Sequence, residues 1–378
     1  MTINPFDLIV GRFPSLLTDP FSSEQLWNAL SLLMGANAPS GGAFLPGGIA
    51  DEIGAIAREW GLERHFIRRI GSTGNAGMWI GADKAQPDVI LFAHMDRPTF
   101  GLKSVDTGEV YPMCAIRLPA EGYFCAAKSV RFQSGRLMTA SLGEFSAEKG
   151  TMIYKAHAGD LRWYDHVMFD SDPRLRDGVV TGTGLDNALG VVTGLAAAAA
   201  LLPLQDALVS ADRRVLIVFT DGEEGIPDAF FGHGASMFTH AVPQPVIGCI
   251  IADAQTAGAG VPPQLGLGAS HGVVSGWSKG SVAIPNAVAL AADLAAAANA
   301  HRRFTVQMNK SYLSRSDDMV LGRWAHILGM IGVPMLHPHT VNETARLEDL
   351  ARTCQWLAIF TAASCGVMPE INSAYALI

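Results

Sequence analysis

The sequence predicts an α/β fold: a mostly parallel sheet sandwiched by helices, with a small all-β, barrel-like unit inserted into it. Three observations predict it. Short apolar runs of strand length, Val89–Ala93, Val215–Phe219, Val246–Ile251 and Ile331–Leu336, alternate with helical patterns. These runs are apolar on both faces, as strands buried beneath two helical layers are. The segment from about Leu102 to Val180 breaks the alternation and carries no convincing helix.

Taken in order, helical patterns fit Ser23–Met34 and Ile49–Trp60 ahead of the first buried strand. The helix-poor segment then shows strand-like pieces at Val110–Arg117, Gly122–Phe132, Thr151–Ala156 and His166–Phe169, separated by Gly, Asp and Ser turns. That texture reads as a small all-β unit. Alanine-rich stretches follow at 196–200 and 287–300; alanine is the best helix former and lets backbones approach closely. Asn286–His301 and Glu348–Ala363 complete the helical patterns. The expected division is therefore 1–101 with 181–378 for the α/β domain, and 102–180 for the inserted β domain.

Composition bounds the function. A chain of 378 residues suits two domains at about 150 residues each. Hydrophobic residues make up 49% and charged residues 16%, against roughly 25% charged in ordinary soluble domains. This excludes a disordered chain and favours a large core with further surface buried between subunits. A net charge of −8 argues against nucleic acid as a partner, because such binding rests on Lys and Arg neutralising phosphates. The basic stretch Arg64–Arg69 reads as the polar side of a connection.

The five cysteines are scattered, odd in number and without a CxxC pair, which points to a reducing cytoplasm rather than a disulfide framework. Met1–Asp7 lacks the basic start and apolar run of a signal peptide. The longest apolar stretch, Gly190–Leu204, falls short of the ~20 residues that span a bilayer. The expectation is a soluble cytoplasmic protein with no membrane partner.

The chemistry lies just beyond the end of each buried strand. Val89–Ala93 runs into His94-Met95-Asp96, Val215–Phe219 into Thr220-Asp221-Gly222-Glu223-Glu224, Val246–Ile251 leads to Asp253, and Ile331–Leu336 to His337-Pro338-His339. Ligands of open parallel sheets bind outside the carboxyl ends of the strands, so four strands deliver imidazole or carboxylate to one edge. A fifth element, Gly182–Asn187, places Asp186 in a Gly-rich turn before a helix. Singly, each has a plainer reading: a hydrogen-bonded histidine, a solvated Glu-Glu loop, or Asp186 as an N-cap. Together, several carboxylates at one mouth repel one another unless cations are bound there. Asp186, Glu224 and Asp253 supply three negative charges beside neutral His94 and His339. Two divalent cations and a hydroxide balance that set. Imidazole with carboxylate suits zinc, cobalt or manganese, zinc foremost.

These motifs resemble the M42 glutamyl aminopeptidases, within the wider clan of co-catalytic metallo-aminopeptidases and M20 deacylases. The resemblance runs from about Leu26 to Phe360 as an ordered series: Ala93-His94-Met95-Asp96, Leu185-Asp186-Asn187, Glu223-Glu224-Gly225, Asp253, and His339-Thr340-Val341-Asn342-Glu343 with Asp349-Leu350. The His-x-x-x-Glu frame selects His339 over His337. The insert falls between His94 and Asp186, as in the M42 branch, whereas M20 deacylases place their lid after the acidic ligands.

The resemblance implies a metal-dependent aminopeptidase. Asp186 would bridge two metal ions, His94 and Asp253 would complete one site, and Glu224 and His339 the other. Asp96 would orient the imidazole of His94. Glu223 would be the general base; spacing alone leaves Glu223 and Glu224 open, and the family makes the assignment. It further implies a candidate cis bond at Asp186–Asn187, a peptide substrate, and a large homo-oligomer, with a twelve-subunit shell among the options and the β domain serving oligomerisation or substrate access.

Three stretches depart from the family. Arg97-Pro98-Thr99-Phe100 lengthens the turn after Asp96, Ile226–Phe231 extends the turn after Gly225, and Ser314-Arg315-Ser316-Asp317-Asp318 matches the family's Gly-Gly-Thr-Asp only loosely. Arg97 and Arg315 are candidates for selecting acidic substrate side chains, or else surface or salt-bridged residues. His233, His240, His271, His301 and His326 fit no ligand frame. A deacylase acting on a non-peptide amide, and an inactive metal-binding assembly protein, are the competing functions.

Overall fold

Eight strands form the main sheet in the order Phe66–Ile67, Ala76–Gly81, Arg214–Thr220, Val89–His94, Gly248–Ala252, Ile327–Gly332, Ala269–Gly272, Val306–Asn309. The computed structural model describes residues 4–114, 124–148, 150–225, 231–258, 262–273, 281–301, 305–310 and 316–377. The four central strands, from Arg214–Thr220 to Ile327–Gly332, are mutually parallel, and antiparallel pairs flank them.

Alternation along the central strands explains their unbroken apolarity. Val89, Leu91, Ala93, Val215, Ile217 and Phe219 pack into the larger core with the helices Leu185–Leu201 and Leu347–Ser364. Ile90, Phe92, Leu216 and Val218 face the other way, onto Ala235 and Phe238 of the helix His233–Ala241 and Leu321 of Asp318–Leu321. Both faces are covered by helix, so neither needs polar residues. The run Leu185–Ser210 has the length and apolarity of a membrane span, with mean hydropathy 1.8, but 78% of that window is buried within the protein. Packing against the sheet and Leu347–Ser364 accounts for its composition.

Six strands close into a barrel in the order Phe100–Leu102, Glu109–Pro112, Thr151–Gly159, Arg136–Glu148, Phe124–Gln133, His166–Phe169. Phe100, Phe145, Tyr154, Val167 and Phe169 fill it. The expected fold class, a helix-sandwiched α/β sheet with a barrel-like all-β unit, is the observed one. A second sheet, absent from the sequence expectation, joins Arg174–Arg176, Val179–Gly182, Glu343–Arg346, Pro334–Leu336 and Gln255–Thr256.

That sheet corrects the expectation of one strand over Ile331–Leu336. The main-sheet strand ends at Gly332, where a Cβ would overlap the carbonyl oxygen of Asp253. Pro334 has no N–H to continue a central ladder, and Pro334–Leu336 instead enters the second sheet. His339 therefore reaches the site from the second sheet, not from the end of a main-sheet strand.

Candidate metal centre

Three adjacent parallel strands set the geometry of the site. Val89–His94 ends on His94, which pairs with Thr220 in register, and Glu223 and Glu224 lie shortly after Thr220. Gly248–Ala252 ends immediately before Asp253. Asp186 comes after the strand Val179–Gly182, and the Asp186–Asn187 peptide is cis. Oδ1 of Asn187 accepts from the Gly190 amide at 2.8 Å, and its Nδ2 donates to the Ala252 carbonyl at 2.9 Å. Asn187 thus makes the capping bond expected of Asp186 and leaves the Asp186 carboxylate free. His339 lies in the turn between Pro334–Leu336 and Glu343–Arg346, where His337 and His339 both adopt positive φ, 58° and 59°. Such backbone is uncommon outside glycine and is concentrated at functional sites.

All five expected ligands and the expected base converge. Nε2 of His94 lies 3.2 Å from Asp186 Oδ1, 3.5 Å from Asp253 Oδ1 and 3.9 Å from Glu223 Oε2. Nε2 of His339 lies 3.4 Å from the other Asp186 oxygen, Oδ2, and 3.2 Å from Glu224 Oε1. Asp186 therefore faces one imidazole with each oxygen. His94, Asp186 and Glu224 each offer a ligand atom within 4.8 Å of the others.

The electrostatics of this cluster call for cations. Burial pushes the Glu223 carboxyl well above the usual carboxylate range, with His94 opposing, and likewise raises Glu224 and Asp253. Burial disfavours a charged His94, but Glu223, Asp186 and Asp253 outweigh it and hold the imidazolium well above its ordinary value. His339 behaves alike beside Glu224 and Asp186. Glu224 Oε1 and Asp253 Oδ1 are fully buried without a hydrogen-bond partner. Buried polar atoms are normally satisfied. Two orphaned carboxylate oxygens among imidazole nitrogens fit a site built for divalent metal, and the donor set is one that zinc, cobalt or manganese accepts.

Buried carboxylates behind the cluster fix it in place. Asp96 does so differently from expectation. Nδ1 of His94 lies 3.2 Å from the Asp96 carbonyl oxygen and 3.7 Å from its carboxylate. The carboxylate accepts from the amides of Glu223 and Glu224, both at 3.1 Å, so it sets the Glu-Glu turn. Glu343 accepts from the Leu185 amide at 2.7 Å and the Asp186 amide at 3.4 Å through one oxygen, and from the His339 amide at 2.9 Å through the other. It ties together the two chain segments that carry the expected ligands Asp186 and His339. Burial pushes its carboxyl up to about 8, with Asp186 adding to the effect.

Asp221 and Asp317 were not singled out from sequence. Asp221 Oδ1 accepts from the Gly41 amide at 2.9 Å, anchoring the 41–44 turn to the sheet edge. Asp317 is buried, bonded to the Thr220 hydroxyl and pushed up to about 7 by burial. The signal available was the spacing of acids around the recognised motifs, but it does not separate an amide-binding carboxylate from a metal-binding one.

Arg97 is 4% exposed, with Nη2 donating to the Leu33 carbonyl. It is held inside the protein and is not offered to a substrate side chain. Ser314, Arg315 and residues 226–230 lie outside the described residues. Trp356 Nε1 donates to His271 Nδ1 at 3.1 Å in the core, and His301 pairs with Asp7 at 2.9 Å, both apart from the cluster.

No protein-family model matches the chain, and no curated protein matches it. Solved structures do. The TET aminopeptidase from the marine sediment archaeon Thaumarchaeota archaeon SCGC AB-539-E09 superposes with a TM-score of 0.70 at 16% identity, covering 93% of this chain and 99% of that one. Aminopeptidase APDkam598 from the archaeon Desulfurococcus kamchatkensis gives 0.69 at 19% identity, covering 93% and 98%. The Pyrococcus horikoshii TET1 peptidase, which can assemble into a tetrahedron or a large octahedral shell, gives 0.67 at 15%, covering 88% and 98%. At these identities the likeness is one of architecture, and over nearly its whole length the chain has the fold of the TET aminopeptidases, the fold that the M42 resemblance implied.

Proposed function

We propose that the chain is a di-metal aminopeptidase that removes N-terminal residues from peptides. The observation that carries this reading is the placing of one imidazole on each oxygen of Asp186, His94 on Oδ1 with Asp253 beside it, and His339 on Oδ2 with Glu224 beside it. His94, Asp253 and Asp186 would hold one ion, and His339, Glu224 and Asp186 the other. Two such ions, zinc most naturally, would supply Lewis acidity to a scissile carbonyl and lower the pKa of a bound water.

The chain's own residues do the rest. Glu223 shares its turn with Glu224 but points to His94, 3.9 Å away. Burial raises its affinity for a proton, which suits a group that takes a proton from water and returns it to a leaving amine. Asp96 keeps Glu223 and Glu224 in their separate directions through both their amides. Glu343 holds the Asp186 and His339 segments at fixed separation. A free substrate amine would bind beside this anionic cluster, which makes the enzyme an exopeptidase.

The TET fold and the low charge also support a homo-oligomer, a twelve-subunit shell being one form, with the barrel between residues 100 and 169, narrower than the expected 102–180, as the inserted β domain. All five cysteines are buried and none forms a disulfide, in keeping with a cytoplasmic location.

The test is a panel of aminoacyl chromogenic amides, with and without chelator. Cleavage that is lost on chelation and in Glu223→Gln is expected. Turnover only of N-blocked amides would identify a deacylase instead, and two bound ions without turnover would identify an assembly protein.

A further inference from the structure

Arg97 opens the stretch that departs from the M42 pattern, and its placement is unusual for an arginine. Its guanidinium is buried, its main-chain amide donates to the Ala38 carbonyl at 2.9 Å, and Nη2 donates to the Leu33 carbonyl. Nη1 is buried without a hydrogen-bond partner. The planar group lies flat beneath Gly184, two residues before Asp186. A Cβ at Gly184 would stand 2.7 Å from Cζ, 2.8 Å from Nε and 2.9 Å from Nη1. Only glycine allows this approach, and Gly184 also has φ +87°.

The charges around Arg97 are of mixed sign. Burial draws its guanidinium down to about 10, while Glu343 and Asp170 act to raise it. Lys128, whose Nζ donates to the Gly35 carbonyl at 3.0 Å and lies 3.8 Å from Asp170, is a second buried cation close enough to feel Arg97. Glu343 is the neighbour that matters to the centre, because its carboxylate receives the amides of Leu185, Asp186 and His339.

We propose that Arg97 is a positioning residue for the metal centre. Its guanidinium forms the floor of the Gly184–Asp186 turn, whose amides Glu343 joins to that of His339, so that Asp186 and His339 are held at the spacing that binding two ions requires. The observations that assign this role are a buried planar cation packed against Gly184, two residues before Asp186, and a carboxylate, Glu343, that receives the amides of that turn and of His339. A lysine cannot reproduce a planar floor together with a donor to Leu33. This inference rests on the reading of Asp186 and His339 as ligands, but its first test does not need metal.

Amide hydrogen exchange of the metal-free full-length chain, read on peptides covering Leu185, Asp186 and His339, compares wild type with Arg97→Met and Arg97→Lys. About tenfold faster exchange at these amides in Arg97→Met is expected, with the helix Ile49–Glu59 unchanged and Arg97→Lys lying between. Exchange at the wild-type rate in a folded Arg97→Met overturns the proposal. Should Arg97→Met fail to fold, Arg97→Lys decides. Exchange faster by a few-fold at the three amides supports the role, and the wild-type rate overturns it. Chelator competition then measures zinc affinity. A variant losing about tenfold in affinity fits the role, and unchanged affinity contradicts it. If the wild-type chain binds no zinc, the metal reading falls, while the exchange data still decide what Arg97 does.

Discussion

Replacing Glu343 by glutamine tests how the centre is held without touching a proposed ligand. The Glu343 carboxylate uses both oxygens, Oε2 for the Leu185 and Asp186 amides and Oε1 for the His339 amide. Glutamine has one acceptor oxygen and an amide nitrogen that only donates. In Glu343→Gln, either the Asp186 turn or His339 must therefore face a donor instead of an acceptor. Hydrogen bonds to charged groups contribute about 1.5–3 kcal/mol each, so the loss falls in that range. Removing a residue that orients metal ligands typically costs about 10–100-fold in affinity, or about 1.4–2.8 kcal/mol at tenfold per 1.4 kcal/mol. The two routes agree. The assay is zinc affinity by chelator competition, with circular dichroism to confirm folding. A folded Glu343→Gln chain that binds two ions at wild-type affinity would show that Glu343 does not hold the ligands in place.

Three further outcomes are expected. Glu223→Gln should keep both ions and lose about 10²–10⁴-fold in kcat, the usual contribution of a general base; metal content and turnover measured on one sample check this, and loss of metal would make Glu223 a ligand. In the metal-free protein, burial pushes Asp317 to about 7 and Glu343 to about 8, and carboxylates outweigh burial to hold His94 and His339 high. Each of these groups binds its proton more tightly folded than unfolded, so stability is lost as pH rises from about 4.5 to 8. Thermal midpoints in chelator should be lower at pH 8 than at pH 5, and a higher midpoint at pH 8 contradicts the assignment. Gly332→Ala places a methyl group on the Asp253 carbonyl and should destabilise by about 1–3 kcal/mol, as overpacking does; an unchanged denaturation midpoint would show that the strand break needs no glycine.

Much of this was legible in the sequence because buried parallel strands announce both themselves and their ends. His94, Glu223, Glu224 and Asp253 lie at or just beyond such ends, where periodicity stops and polar residues begin. Asp186 was legible as an acid in a Gly-rich turn and His339 as one of two histidines after an apolar run, but only motif order chose His339 over His337, since both segments belong to a second sheet of short strands. The break at Gly332 was hidden because Ile331–Leu336 is continuously hydrophobic apart from that glycine and Pro334, and only the nearby Asp253 carbonyl explains why the chain must leave the sheet. The roles of Asp96, Asp221 and Glu343 were illegible for a common reason. A carboxylate that binds backbone amides and one that binds metal are the same residue in a sequence, and only geometry separates them. Arg97 looked like a surface or substrate-facing charge because nothing local marks a cation that lies beneath a glycine nearly ninety residues away, at Gly184.

The roles proposed for His94, Asp186, Glu224, Asp253, His339 and Glu223 depend on two metal ions being held about Asp186. Anomalous scattering from crystals grown with zinc, collected on both sides of its absorption edge, reads their positions without reference to activity. Two peaks are expected, one touching His94, Asp253 and Asp186 Oδ1, the other His339, Glu224 and Asp186 Oδ2. A single peak, or zinc bound elsewhere while these side chains stay empty, would contradict the di-metal centre.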